Sequence, residues 1–506
     1  MKKTYLLVAL IVALASNGQT ISFQDLNLKN ALLSTGTAFD TYTTAINVDT
    51  NGNGEIEVEE ALQVYDLRIA NRNITNIDGL QYFTNLRRFD CNHNSISDLD
   101  PITGLINMDT LYCNDNALTT LDLSTLHVLR ILYCSENLLT SMNLNNLGSL
   151  DTVVCNNNNL TELDVLTLSN LNHLECTYNN LTTINLSGLS HLTSVACDHN
   201  AISSVVFGLP GNHMSFSCDY NNLTQLNLTG VHLETLQCRY NNLTTLDVSG
   251  GFYGLYCSHN NLTSLILPNS YSYSGRSLDC SFNELTTLII DEGMHIVQLN
   301  CSHNNLTTLD ATHFDGSYLF CHDNELTSLT VNPRLSALYC QNNFLTTIEI
   351  PASSAYWPIA MDCSNNNLET MLLINGRLES PINFSGNPNL LQICEDSNQV
   401  SELQTLAASY AYNNCSVDSA CVLKTDEVEV DKLFTIYPNP ATDVLNVKSK
   451  DNTTIQSLSV CNTLGQVLLT ATNPSESIQI ESLPSGSYFI RINSDKGTSS
   501  SGFIKK

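Results

Sequence analysis

The sequence is short of positive charge, of tryptophan and of long apolar runs, and these shortages narrow what the chain can do. Twenty Lys and Arg residues stand against 49 Asp and Glu in 506 residues, a formal net charge of -29. Such a chain repels nucleic acid phosphates and anionic headgroups alike, so no nucleic acid partner is expected. Beyond the amino-terminal segment no stretch reaches about 18 uninterrupted apolar residues, so no transmembrane span is expected. Common catalytic signatures are also missing: there is no H-E-x-x-H, G-x-S-x-G, phosphate loop or paired C-x-x-C. The expectation is a chain that is not an enzyme, with a hydrolase as the least favoured reading.

What is present begins with Lys2 and Lys3, then an apolar stretch from Tyr5 to Ala15 and small residues. That is the layout of a secretory signal peptide, assigned here to residues 1–18 and too short to cross a membrane. Eighteen cysteines in an exported chain would ordinarily suggest disulfides. Their spacing argues otherwise. Fourteen of them, from Cys91 to Cys363, recur every 19 to 23 residues, each followed by Asn at the third position and Leu or Ile at the fifth. Apolar residues also stand two before and eight after each cysteine, as in Leu111 and Leu121 around Cys113. A unit of about 21 residues is too short for an ordinary helix and return; two extended segments per turn fit it.

This repeat resembles the leucine-rich-repeat family, and most closely its internalin-like cysteine-ladder class. With Ile69 and Phe384 holding the cysteine register at the two ends, the expected fold is a parallel β solenoid of about 16 turns over residues 66–393. One turn cannot bury its apolar face alone; a stack can. The asparagines are assigned to pairing backbone groups inside the tight bends. Adjacent cysteines in register on parallel strands keep their β-carbons farther apart than a relaxed disulfide allows, so free buried thiols are expected.

Residues 19–65 are expected to cap the amino-terminal end. Within them Asp49-Thr50-Asn51-Gly52-Asn53-Gly54-Glu55-Ile56-Glu57-Val58-Glu59-Glu60 matches the twelve-residue EF-hand loop. That resemblance implies calcium held by the side chains of Asp49, Asn51, Asn53 and Glu60 and by the Glu55 carbonyl, in a structural role. Residues 394–423 are read as a carboxy-terminal cap in which Cys394, Cys415 and Cys421 allow one disulfide of open pairing.

Residues 424–433 read as a charged linker, and residues 434–506 as a small antiparallel β sandwich of alternating segments bounded by Gly and Pro. The opening Tyr437-Pro438-Asn439-Pro440, the Leu464-Gly465 turn, Leu483-Pro484-Ser485-Gly486-Ser487-Tyr488 and the closing Gly502-Phe503-Ile504-Lys505-Lys506 resemble the type A carboxy-terminal sorting domain of the type IX secretion system. The resemblance implies export by that machinery to the medium or the outer surface of a Gram-negative bacterium.

Side chains one before and one after each inward cysteine should face the concave sheet. Aromatics recur there at Tyr112, Tyr133, Tyr256, Phe320 and Tyr339, and near the strand end, two past the cysteine, at Tyr178, Tyr220, Tyr240 and Phe282. His93, His199, His259 and His303 share the latter position and are read as solvated. Insertions carrying Tyr271, Tyr273, Tyr356 and the single tryptophan, Trp357, add contact candidates. The expected function is therefore a monomeric surface or secreted adhesion module that binds an extracellular protein. A glycan-binding accessory protein is the alternative.

Overall fold

Sixteen parallel strands laid edge to edge, from Asp66–Arg68 to Glu379–Asn383, form the spine of the computed structural model. It describes residues 18–208, 214–267, 276–290, 296–314, 316–353, 357–420, 434–449, 454–462, 467–472, 477–494 and 497–506. Two units separate at Ser419 and Ala420.

Pairing register follows the repeat. Leu67 pairs with Phe89, Phe89 with Leu111, Leu111 with Leu132, and the same column runs on to Met361 and Ile382. These side chains and the cysteines point inward and are buried, save the half-buried Ile382, with Leu or Ile at the fifth position closing the core from the far side. In most turns a second short strand forms the opposite wall, as where Thr183–Asn185 pairs with Ser204–Val206. A single turn leaves its apolar side chains uncovered above and below, so the conformational entropy of ordering it is offset only when neighbours cover both faces.

The asparagine column ties turn to turn. Asn137 Nδ2 donates to the carbonyls of Cys134 (3.1 Å), Ser135 (3.1 Å) and, in the preceding turn, Cys113 (3.0 Å). Its Oδ1 accepts the Leu118 N–H at 3.1 Å. The pattern starts with Asn94 against Ile69 and ends with Asn387 against Cys363, so carbonyls that the tight bends turn away from the ladder are paired within the solenoid. The fourteen ladder cysteines are free and buried, as the spacing requires. Burial raises every one of these thiols, which serve as small apolar fillers.

The amino-terminal end is closed by the helix Leu26–Leu33 and a strand pair, Ala38–Phe39 and Ala45–Ile46. Ala38 pairs antiparallel with Leu67, which covers the first edge of the sheet. Asp25 caps the helix through the Asn27 and Leu28 N–H groups, while its other oxygen takes the Thr75 N–H and hydroxyl, binding cap to repeat. At the other end the helix Val400–Ser409 and the strand Ser416–Asp418 cover the last turns, and Tyr412 Oη bridges the Phe384 carbonyl and Asn387 N–H. Cys394 is disulfide-bonded and Cys415 is a free thiol. Cys421, the third cysteine of this segment, lies outside the described residues, as do Tyr271, Tyr273, Tyr356 and residues 1–17.

The second unit pairs a three-stranded antiparallel sheet (Phe434–Tyr437, Val444–Ser449, Ser477–Gln479) with a four-stranded one (Ile455–Cys461, Val467–Thr472, Gly486–Ser494, Gly497–Lys505). Leu445, Val447, Leu458, Val460, Ile490 and Phe503 from both share one apolar core. The motif residues act locally. Asn439 accepts the Ile504 N–H and donates to the Gly502 carbonyl, pinning the last strand, and Tyr488 Oη donates to the Pro484 carbonyl.

Candidate binding face

Each turn leaves its parallel strand through a residue two past the cysteine whose φ is positive. All fourteen such residues, from His93 (φ 55°) to Asn365 (φ 55°), are non-glycine. The left-handed conformation costs an ordinary residue about 1 kcal/mol or more, least for Asn and Asp. Five of the seven early and late turns accordingly use Asp115, Asn157, Asp323, Asn342 and Asn365, the other two His93 and Glu136. The seven middle turns use rings instead.

Those rings form one column. Tyr178, His199, Tyr220, Tyr240, His259, Phe282 and His303 stack in unbroken succession, with centroids 4.0 to 4.3 Å apart and planes within 16° of parallel. Aromatic pairs are worth about 0.5–1.5 kcal/mol each beyond the area they bury, enough to offset the backbone cost. The column presents ring edges to solvent, with Tyr178 52% and Tyr220 44% exposed. His199, His259 and His303 therefore sit between neighbouring rings and are not singly solvated, which corrects the sequence reading. Burial holds the His259 imidazole below its ordinary pKa. His93 alone lacks a ring neighbour; its Nδ1 lies 2.8 Å from Asp115 Oδ2.

On the concave sheet the position before the cysteine carries three aromatic groups. Tyr112 and Tyr133 lie 5.2 Å apart, with the Arg88 guanidinium 4.7 Å over the Tyr112 ring. Arg239 lies 4.8 Å over Tyr256. Phe320 and Tyr339 stack at 5.0 Å across neighbouring strands, and the exposed Tyr318 shares the strand of Phe320; sequence reading passed over it because it lies two residues from the register examined. Between the first two groups lies an acidic stretch. Asp198 Oδ1 accepts the Asp219 N–H, and Asp219 Oδ1 accepts the Arg239 N–H. Burial pushes the Asp219 carboxyl up to about 6, against the opposing pull of Arg239. Trp357 is exposed, and its carbonyl accepts the Nε–H of Arg377 at 2.9 Å.

In the cap, the loop from Asp49 to Glu60 is preceded by the strand Ala45–Ile46 and its last three residues begin the four-residue helix Val58–Ala61, so the entering helix of a helix–loop–helix unit is replaced by a strand. Asp49 accepts the N–H groups of Gly52, Asn53 and Gly54; Asn51 accepts that of Asn53, and Asn53 that of Glu55. Glu60 takes the Thr50 N–H and hydroxyl on one oxygen and the Glu57 N–H on the other. Burial would raise its carboxyl, but these bonds hold it below the ordinary value. Glu57, absent from the expected ligand set, receives the amides of Asn51 and Asn53. The loop oxygens retain lone pairs beyond these bonds, so the residues fit a hard cation.

Residues 435–506 match the secretion system C-terminal sorting domain family. No curated protein is significantly similar to the chain in sequence. Among solved structures, the functional domain of InlJ from Listeria monocytogenes, which includes a cysteine ladder, is 20% identical over 97% of this chain and 99% of its own, with a TM-score of 0.49. A leucine-rich-repeat protein of Leptospira interrogans is 19% identical over 71% of this chain and 97% of its own (TM-score 0.44). YopM, an effector of Yersinia pestis, is 23% identical over 65% and 85% (TM-score 0.43). The fold assignment rests not on these likenesses but on the strand register and the cysteine and asparagine columns. The chain is a cysteine-ladder leucine-rich-repeat solenoid that carries, at its carboxy-terminal end, the sorting domain of an exported surface or secreted protein.

Proposed function

We propose that the protein is a non-enzymatic adhesion module that binds an extracellular protein through its concave sheet. The observation that carries this reading is the pairing of arginine with aromatic side chains at Arg88, Tyr112 and Tyr133 and at Arg239 and Tyr256 on one rigid face. Arg and Tyr are enriched at the energetic centres of protein interfaces, and a rigid sheet holds them at little entropic cost.

Ring geometry favours protein over glycan as the partner. Sugars stack on ring faces, and the faces in the column from Tyr178 to His303 are occupied by one another. Edges, hydroxyls and imidazole nitrogens remain, which suit hydrogen-bonding groups of a polypeptide. Within the same reading calcium rigidifies the cap through Asp49, Asn51, Asn53 and Glu60, with the Glu55 carbonyl completing the loop and Glu57 in reach of it. Export runs through the type IX machinery to the surface of a Gram-negative cell, where the module acts as a monomer.

The experiment is a binding comparison between the intact chain and a Tyr112→Ala/Tyr133→Ala variant on extracellular protein and glycan arrays. A protein ligand lost in the variant supports the reading. Ligands bound equally well by both would refute it.

A further inference from the structure

We propose that His303, His322 and Asp323 bind one divalent transition-metal ion of the zinc class at the end of the ring column. Their donor atoms all lie within 4.8 Å of one another, and they are the one such group of three among the described residues. His303 Nε2 is 3.6 Å and His322 Nδ1 2.7 Å from the same oxygen, Asp323 Oδ2. A tetrahedral ion with ligand bonds of about 2.0–2.2 Å sets its ligand atoms roughly 3.3–3.6 Å apart. The first contact already has that spacing, and the second needs to open by well under 1 Å, within reach of a side-chain rotation.

The three groups are held from outside. The His303 ring lies on Phe282 at 4.0 Å and meets His322 edge to face at 5.2 Å. Asn342 Nδ2 donates to Asp323 Oδ1 at 2.8 Å, leaving Oδ2 toward the histidines, the arrangement by which a neighbouring amide orients a metal-binding carboxylate. A second observation points the same way. Gln341 Oε1 is buried with no hydrogen-bond partner, and its residue lies against Asp323, whose N–H it accepts through its own carbonyl at 3.0 Å. Gln341 occupies the register of His322 one turn further on. The residue next to His322 across the sheet thus carries an unpaired buried oxygen, a further donor available to an ion held by the other three groups.

Simple ion pairing is the plainer account, and the same chain shows what that looks like. His93 with Asp115 and His173 with Glu175 are pairs at 2.8 Å that no third His, Cys or carboxylate ligand joins among the described residues. At His303 two imidazoles converge on one carboxylate oxygen. The site is a fifth to a third exposed, so an ion can enter and keep a water. The ladder thiols are buried and raised, and do not compete.

The test is calorimetric titration of zinc into the full chain in a Cys415→Ser background, with excess calcium present. One saturating equivalent is expected, weakened at least about tenfold by His322→Ala and by Asp323→Asn and unchanged by His93→Ala. Zinc-induced shifts of the His303 and His322 imidazole resonances in the unsubstituted protein supply a readout that does not depend on either variant folding. Absence of a saturating equivalent, an equivalent untouched by both substitutions, or shifts confined to other histidines would overturn the assignment.

Discussion

Tyr220 and Tyr240 lie face to face, centroids 4.2 Å apart and planes within 9°, although each backbone adopts the left-handed conformation that tyrosine ordinarily avoids. Two opposing terms thus meet at one position, and substitution separates them. Tyr220→Phe should be close to neutral. Tyr220→Ala loses stacking on both sides and keeps the strained backbone, whereas Tyr220→Gly loses the stacking but relieves the backbone. Glycine should therefore be the milder of the two by about 1 kcal/mol, read from chemical denaturation midpoints. An alanine variant as stable as the glycine variant would show that the backbone carries no such cost.

The asparagine column predicts a larger effect. Asn221 Nδ2 serves the carbonyls of Cys197, Cys218 and Asp219, and its Oδ1 serves the Ile202 N–H. Asn221→Ala strands these buried groups and should cost roughly 3 kcal/mol or more, with hydrogen exchange accelerating first in the two turns it joins. A loss below about 1 kcal/mol would mean that water reaches the bend.

The solenoid was legible in the sequence because its core repeats. Cys and Asn at fixed offsets encode one turn, and fourteen copies leave little room for another register. The ring column was only half legible. Tyr220 next to Tyr240 could be paired from spacing, but His199 and His259 were set apart by residue type, and only the shared left-handed position makes them ring partners of Tyr178, Tyr220, Tyr240 and Phe282. His322 and Gln341 were missed for a different reason: they stand one residue past the cysteine, where no repeat pattern marks them. Glu57 was passed over because the loop motif assigns it no fixed ligand.

A buried carboxyl pair where the last parallel strand meets the carboxy-terminal cap makes stability depend on pH. Glu379 and Glu395 are both fully buried, and burial together with the Glu379 charge pushes the Glu395 carboxyl up to about 9. The folded state then holds a proton that the unfolded chain releases above about 4.5. The stabilisation is complete below that pH and is lost as pH rises toward 9. Glu395→Gln, which has no such proton to lose, should flatten the decline in denaturation midpoint between those limits. An unchanged pH profile in the variant would place the dependence elsewhere.

Calcium should stabilise the cap. A concentration one hundred times its dissociation constant adds about 2.7 kcal/mol to whatever unfolds with the loop. The gain should vanish in Asp49→Ala and Glu60→Gln, monitored by thermal unfolding with and without chelator. Equal midpoints in calcium and chelator for the unsubstituted protein would remove calcium from the account.

The most direct test of the central claim is the affinity of the intact chain for a ligand recovered from an extracellular protein array, measured alongside its Tyr112→Ala/Tyr133→Ala variant. The account predicts a protein ligand whose affinity falls tenfold or more, about 1.4 kcal/mol, in the variant. Recognition confined to glycans, or a protein ligand held equally well by both, would contradict it.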